Sequence, residues 1–366
     1  IIVTVIGGYD TPPAWLGGLV ILVSLCLAHV THTLVEDPLR QHRPRPRGDD
    51  HPVAAARASL RTLPGAARAV GGVLAAALFA VALAVQPYWD NRVDSAEKAL
   101  DPVNYPGARA IQGVQVPDVK PQPDPNLIAG VFPPIGLDDC MIFLPEAPDA
   151  MPGPDCTYGD LEADTTIVLA GGSHIEPFIV PLDKLGKEHH FKVATFVRQE
   201  CPLVVGGPLD PANDIVSPEC AEWGENAMQE IINLQPDLLI STSTRPAGHA
   251  GDGRVSADYV PDAYTNLWQR LAELGIPFVG LRDNPWMFTP TGEQMDPNLC
   301  IVAGYSEHDC SMAADMVYAP EDPAAYFLDG GYAQWEIDTA GWYCIDGLCP
   351  PQIGNVYIYR DQNHIS

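Results

Sequence analysis

One stretch constrains this chain more than any other: Thr165-Thr166-Ile167-Val168-Leu169-Ala170-Gly171-Gly172-Ser173-His174. A short apolar, β-branched run that stops at two glycines and meets a serine reads as a buried strand, a sharp turn and a hydroxyl at the mouth of a sheet. Glycine suits such a turn because φ is strained there and the backbone passes close to whatever binds. A serine hydroxyl alone is a poor nucleophile, so the reading requires a base. The last residues supply one in Asp361-Gln362-Asn363-His364, just after the strand-like run Asn355-Val356-Tyr357-Ile358-Tyr359. His364 would take the Ser173 proton, and Asp361 would fix the imidazole tautomer and stabilise the imidazolium.

Around that stretch strands and helices alternate. Residues 175–188 read as a helix that Pro177 and Pro181 confine to its later half, and 191–197 as a strand. Residues 220–234 follow as a helix with Trp223, Met228, Ile231 and Ile232 on or near one face. Then come a strand at 237–241, a helix at 264–274 closed by Gly275, and a strand at 276–281. The pattern predicts an α/β domain over 137–366, with a doubly wound parallel sheet. Sites in such sheets gather at the carboxyl ends of strands, where Ser173 and the Asp361/His364 segment are both expected.

The N-terminal part reads differently. Residues 15–35 and 69–86 are apolar and nearly uncharged, each long enough for a membrane span of roughly 20 residues. An Arg-rich loop separates them, and by the positive-inside rule it is cytoplasmic and everything after Gln86 is outside. His29 and His32, near the end of the first span, read as interfacial or packing residues. Residues 1–86 hold 7 Lys/Arg against 5 Asp/Glu, and the remainder 13 against 42, so the acidity behind the net −27 is all in the later part. Such a surface repels a phosphate backbone, which excludes nucleic acid as a partner. Residues 87–136, rich in Pro and Asp, read as an extended linker. The chain opens on Ile1 inside an apolar run, which predicts further protein upstream.

Of nine cysteines, Cys26 lies in an apolar run. The other eight fall as neighbours: Cys140 and Cys156, Cys201 and Cys220, Cys300 and Cys310, Cys344 and Cys349. An even set in an acidic domain points to disulfides and an oxidising compartment, with nearest-neighbour pairing the simplest of 105 connectivities. Zinc is the competing reading, but no C-x-x-C pair supports it, and no metal site is expected.

Residues 165–366 resemble an SGNH/GDSL-type hydrolase domain, whose first block runs Gly-Asp-Ser and whose last runs Asp-x-x-His. The whole chain resembles the end of acyltransferase-3 membrane O-acyltransferases with a fused extracytoplasmic SGNH domain. Val35-Glu36-Asp37-Pro38-Leu39-Arg40, one further span, Gly-Gly-Ser-His and the closing block from Cys344 to His364 carry that resemblance. It implies a multi-pass cell-membrane protein in which upstream acyltransferase-3 helices take an acyl group, usually acetyl, from cytoplasmic acyl-CoA. The SGNH domain would pass it to a hydroxyl of a cell-envelope or secreted glycan through a Ser173 ester. This portion itself is expected to bind no cofactor. A carbohydrate O-acyl esterase and a non-catalytic glycan-binding module are the alternatives.

Two departures from the family pattern matter. Gly172 stands where the family usually has Asp. The Gly-x-Asn-Asp block is also absent, its place being taken by Ser241-Thr242-Ser243-Thr244-Arg245. With the asparagine donor unassigned, the expected oxyanion donors are the Ser173 N–H in the Gly171-Gly172 turn and a backbone N–H from Gly206 or Gly207. Arg282 and Asn284, after the fourth strand, are substrate-binding candidates, with an Arg–Asp surface pair the competing reading. Trp335, Trp342 and Tyr343 are candidates for stacking on sugar or for the core. His189-His190 and Glu307-His308-Asp309 read as surface groups.

Overall fold

The computed structural model describes residues 100–365 apart from 145, 207–216 and 247–256, together with scattered helical residues between 15 and 28 and between 73 and 92. Two units result, Ile1–Ser95 and Ala96–Ser366. In the first, the described apolar side chains such as Trp15, Leu25 and Phe79 are exposed. Among the described residues no helix is long and apolar enough to cross a membrane. Most of the spans expected at 15–35 and 69–86, with Cys26, His29 and His32, lies outside the described residues.

The second unit is built on a seven-stranded sheet: β1 (Met141–Ile142), β2 (Thr157–Gly159), β3 (Thr166–Gly171), β4 (Lys192–Arg198), β5 (Leu238–Thr242), β6 (Phe278–Leu281) and β7 (Gln334–Ile337). The order is β1-β4-β3-β5-β6-β7, all parallel, with β2 antiparallel on β4. Side chains alternate across β3, which fixes what each face packs. Val168 and Ala170 join the cluster that holds Trp223 and Ile231 of α2 (Pro218–Leu234) and Leu267 and Leu271 of α3 (Asp262–Leu274).

 On the opposite face Leu169, Val193 and Val197 pack against Ile179 of the remaining long helix, α1 (Ile179–His189). Helices therefore cover both faces of a parallel sheet, as the alternation predicts.

Local chemistry explains the boundaries. Pro177 sits in a 3-10 turn, Glu176–Phe178, that leads into α1, and Pro181 falls in its first turn, where no backbone donor is lost. Ser217 caps α2 by accepting from the Cys220 N–H at 3.2 Å, with Pro218 at the first helical position. Gly275 closes α3 in the left-handed region. β7, on the sheet edge beside β6, was not expected from the sequence.

Two expectations are corrected here. The run 355–359 adds no strand to the main sheet. It forms a two-residue hairpin, Gln352–Ile353 against Val356–Tyr357, turned at Gly354 (φ 55°) and Asn355 (φ 65°). Positive φ at both turn residues matches the twist of a hairpin and suits Gly-Asn. Nor is the later part of 87–136 an extended tether. Gln122 donates to the Asn355 carbonyl and accepts from the Tyr357 N–H, both at 2.9 Å, while Asn355 Nδ2 donates to the carbonyls of Asn104 and Pro117. The hairpin that leads into the Asp361/His364 segment is held by this stretch.

The cysteines pair as neighbours: Cys140–Cys156, Cys201–Cys220, Cys300–Cys310 and Cys344–Cys349. Cys201–Cys220 closes the loop between β4 and α2.

Beside the edge strand, Ser243 Oγ donates to Glu336 Oε1 at 2.7 Å. Burial, then the charge of Asp322, push the Glu336 carboxyl up to about 10, with the Ser243 hydrogen bond opposing them. A folded-state value above the unfolded 4.5 gives a contribution that is full below pH 4.5 and lost as pH rises toward 10. Glu336→Gln keeps the neutral shape, so it is expected to match the wild type below pH 4.5 and to be the more stable protein at pH 8, by a margin that grows as pH rises toward 10. Thermal unfolding across that range measures this; a gap independent of pH would refute it.

Candidate active site

The strand order places β3 between β4 and β5, so the chain leaves the middle of the sheet in opposite directions on the two sides of β3. Such a switch point opens a crevice beyond the carboxyl ends of the strands. Ser173 stands there, two residues beyond β3. Gly171 has φ 146°, and a Cβ on it would lie 3.2 Å from Ser241 Oγ, so both the backbone and the crowding favour glycine. A Cβ at Gly172 meets only ordinary contacts, 3.5 Å from the Cys201 carbonyl group. The position holds glycine without steric need.

Ser173 Oγ and His364 Nε2 are 2.7 Å apart, across 191 positions of sequence. His364 Nδ1 lies 2.8 Å from Asp361 Oδ2 and 3.0 Å from Oδ1. A carboxylate only accepts, so Nδ1 carries the proton and Nε2 is left to accept from the Ser173 hydroxyl. Asp361 Oδ1 also accepts from the N–H groups of Asn363 and His364, both at 2.9 Å, which folds Asp-x-x-His into one tight turn. Ser173, His364 and Asp361 thus form one hydrogen-bonded relay, without a strand end beneath Asp361 and His364.

The turn is pinned from outside. Met287 N–H donates to the Gln362 carbonyl at 2.8 Å, and Asn284 Nδ2 donates to that of Asn363 at 2.7 Å. Glu176, fully buried three residues after Ser173, lies 3.6 Å from Arg360, which stacks over Phe132 at 4.3 Å. Burial pushes the Glu176 carboxyl up, with Arg360 and then His364 opposing that rise.

Ser173 and His364 line a cavity of about 280 Å³ with Gly172, His174, Thr242, Arg245 and others. His174, Thr242, Arg245 and Trp286 all line it, and the sequence reading gives none of them a role. Arg245 sits where the family keeps its Gly-x-Asn-Asp block. Its guanidinium lies over the Trp286 ring at 5.8 Å, and its Nε is buried with no hydrogen-bond partner among the described residues.

Other expectations fail on contact. Arg282 is 3% exposed, and its Nε and Nη2 donate to both Asp258 oxygens at 2.7 and 2.9 Å. It stacks on Tyr318 and also meets Asp338, so it is a buried structural cation rather than a substrate contact. Asn284 is buried and spends its amide on the His364 turn. The Gly206 N–H donates to Glu225 Oε1 at 2.7 Å, which removes it as an oxyanion donor; Gly207 lies outside the described residues. Trp335 and Trp342 are exposed and do not line the cavity, and Tyr343 is core. The surface readings agree with the structure: His190 bonds Asp160 at the surface, and 307–309 is an exposed loop. Among the described residues no group of three or more His, Cys, Asp or Glu is placed to hold a metal ion.

A parallel α/β sheet with a serine at its switch point and an Asp-x-x-His turn at its end defines an SGNH-type domain. The family model "SGNH domain (fused to AT3 domains)" matches residues 140–366, and the chain belongs to that family. Among solved structures it is similar to the periplasmic domain of a lipopolysaccharide acetyltransferase from Salmonella ser. Paratyphi A. That likeness has 13% identity and a TM-score of 0.34, over 57% of this chain and 80% of that one. No curated protein matches.

Proposed function

We propose that this domain transfers an O-acyl group, acetyl in the simplest case, to a hydroxyl of a cell-envelope or secreted glycan through an ester on Ser173. The observation that carries the reading is the 2.7 Å contact between Ser173 Oγ and His364 Nε2, with Asp361 fixing the far side of the ring. Ser173 Oγ attacks the acyl carbonyl as its proton passes to His364 Nε2. The Ser173 N–H and Arg245 stabilise the oxyanion, and His364 returns the proton to the departing group. A sugar hydroxyl then gives its proton to His364 and attacks the Ser173 ester; the Oγ–acyl bond breaks, His364 passes the proton to Ser173 Oγ, and the sugar leaves acylated.

The four disulfides fit an oxidising, extracytoplasmic compartment. The acyl group would come from cytoplasmic acyl-CoA by way of upstream acyltransferase-3 helices in a multi-pass membrane protein, of which residues 1–86 form the end. Residues 87–136 would join that region to the catalytic domain.

Incubating the full chain with 4-nitrophenyl acetate, with and without a saccharide, tests the reading. Acetylated sugar is the expected product. Free acetate alone would make the domain an esterase. No turnover, with no labelling of Ser173 by a serine-directed phosphonate, would make it a non-catalytic module.

A further inference from the structure

A second imidazole shares the cavity. His174 Nδ1 lies 2.8 Å from Asp283 Oδ1. Asp283 is 5% exposed and takes two more hydrogen bonds, from the Asn284 N–H at 2.9 Å and from Trp286 Nε1 at 3.1 Å. Its own N–H donates to Thr244 Oγ1, and its carbonyl accepts from the Tyr318 hydroxyl. This carboxylate is held on every side, and it fixes the proton of His174 on Nδ1. Nε2 is left as an acceptor on a side chain that lines the cavity, and among the described residues the ring's one hydrogen bond is that of Nδ1.

His364 is built in the same way, with Asp361 on Nδ1 and an accepting Nε2 beside Ser173. The two rings meet edge to face with centroids 5.0 Å apart. Two acceptor nitrogens on neighbouring rings, each with its resting proton on Nδ1, call for two donors on one molecule, as two hydroxyls on adjacent carbons supply. An anionic group at that point would meet lone pairs and the Asp283 charge.

We infer that His174 Nε2 accepts a hydrogen bond from the hydroxyl next to the one being acylated, so that the site selects a vicinal diol of the acceptor. The inference rests on the Ser173 acyl-enzyme reading. No proton moves through His174; it holds the neighbouring oxygen while the reacting hydroxyl gives its proton to His364.

The full chain, given 4-nitrophenyl acetate, is offered trans-cyclohexane-1,2-diol or cyclohexanol, and acetylated product is counted against free acetate. Per hydroxyl, the wild type is expected to favour the diol about tenfold, as one directed hydrogen bond allows. His174→Phe is expected to bring that preference to about one, and His174→Gln, which keeps an acceptor oxygen, to retain part of it. A wild-type preference near one, or one that survives in His174→Phe, overturns the inference while leaving the acyl-enzyme intact. The wild-type comparison decides alone if His174→Phe does not fold. Acetate release with no transfer to either alcohol overturns the inference and the transferase reading together. Failure of the phosphonate to label wild-type Ser173 removes the acyl-enzyme, and the inference with it.

Discussion

Ser173→Ala and His364→Ala are each expected to lower kcat for acetyl ester cleavage by about 10⁶-fold, and the double variant no further. The non-additivity follows from the geometry. The hydroxyl at 2.7 Å is activated only by the imidazole, so either loss removes the same step. Asp361→Asn is expected to cost about 10⁴-fold by disturbing the tautomer. His189→Ala, on an exposed side chain away from the cavity, should keep the wild-type rate. Burial raises the Asp361 carboxyl, but hydrogen bonds from the His364 ring and the Asn363 N–H outweigh it and bring it to about 2. Its stabilising contribution is therefore present above the unfolded value of 3.8 and is lost as pH falls through about 2. An activity loss on acidification that begins above pH 4 must come from another group. Ser173→Ala keeping a tenth of the wild-type rate would end the acyl-enzyme reading.

What the sequence made legible is the part carried by neighbours in the chain. The run into Gly171, the helices ending at Leu234 and Leu274 and the strand ending at Leu281 all carry their own periodicity and stop signals. Ser173 and His364 were legible because each lies in a short motif. The hairpin at 352–357 was misread because an apolar run of β-formers does not say whether it joins the main sheet. Its Gly354-Asn355 turn was the overlooked signal. Arg282 was misread for a different reason: its partner Asp258 lies 24 positions away, and nothing local announces a buried ion pair. His174 stands next to Ser173 in plain view, yet its meaning depends on Asp283, 109 positions on. The pinning of the His364 turn by Asn284 and of the hairpin by Gln122 and Asn355 likewise exists only in three dimensions.

Arg245→Met is expected to lower kcat by about 10²- to 10³-fold with KM little changed, the signature of an interaction made in the transition state. The family's asparagine donor is absent, and Gly206 cannot replace it because its N–H is committed to Glu225. Arg245 occupies the same stretch after β5, lines the cavity and keeps a buried Nε–H with no partner among the described residues. A buried donor left unpaired in the resting protein is costly, and an oxyanion that forms only during reaction would satisfy it. Trp286, beneath the guanidinium, restricts its movement and so reduces the reorganisation needed at that moment. Arg245→Lys is expected to recover only part of the rate, since an ammonium lacks the fixed planar donors. Steady-state kinetics on 4-nitrophenyl acetate with both variants separate the outcomes. A raised KM at unchanged kcat would make Arg245 a ground-state binding residue and leave the Ser173 N–H as the oxyanion donor.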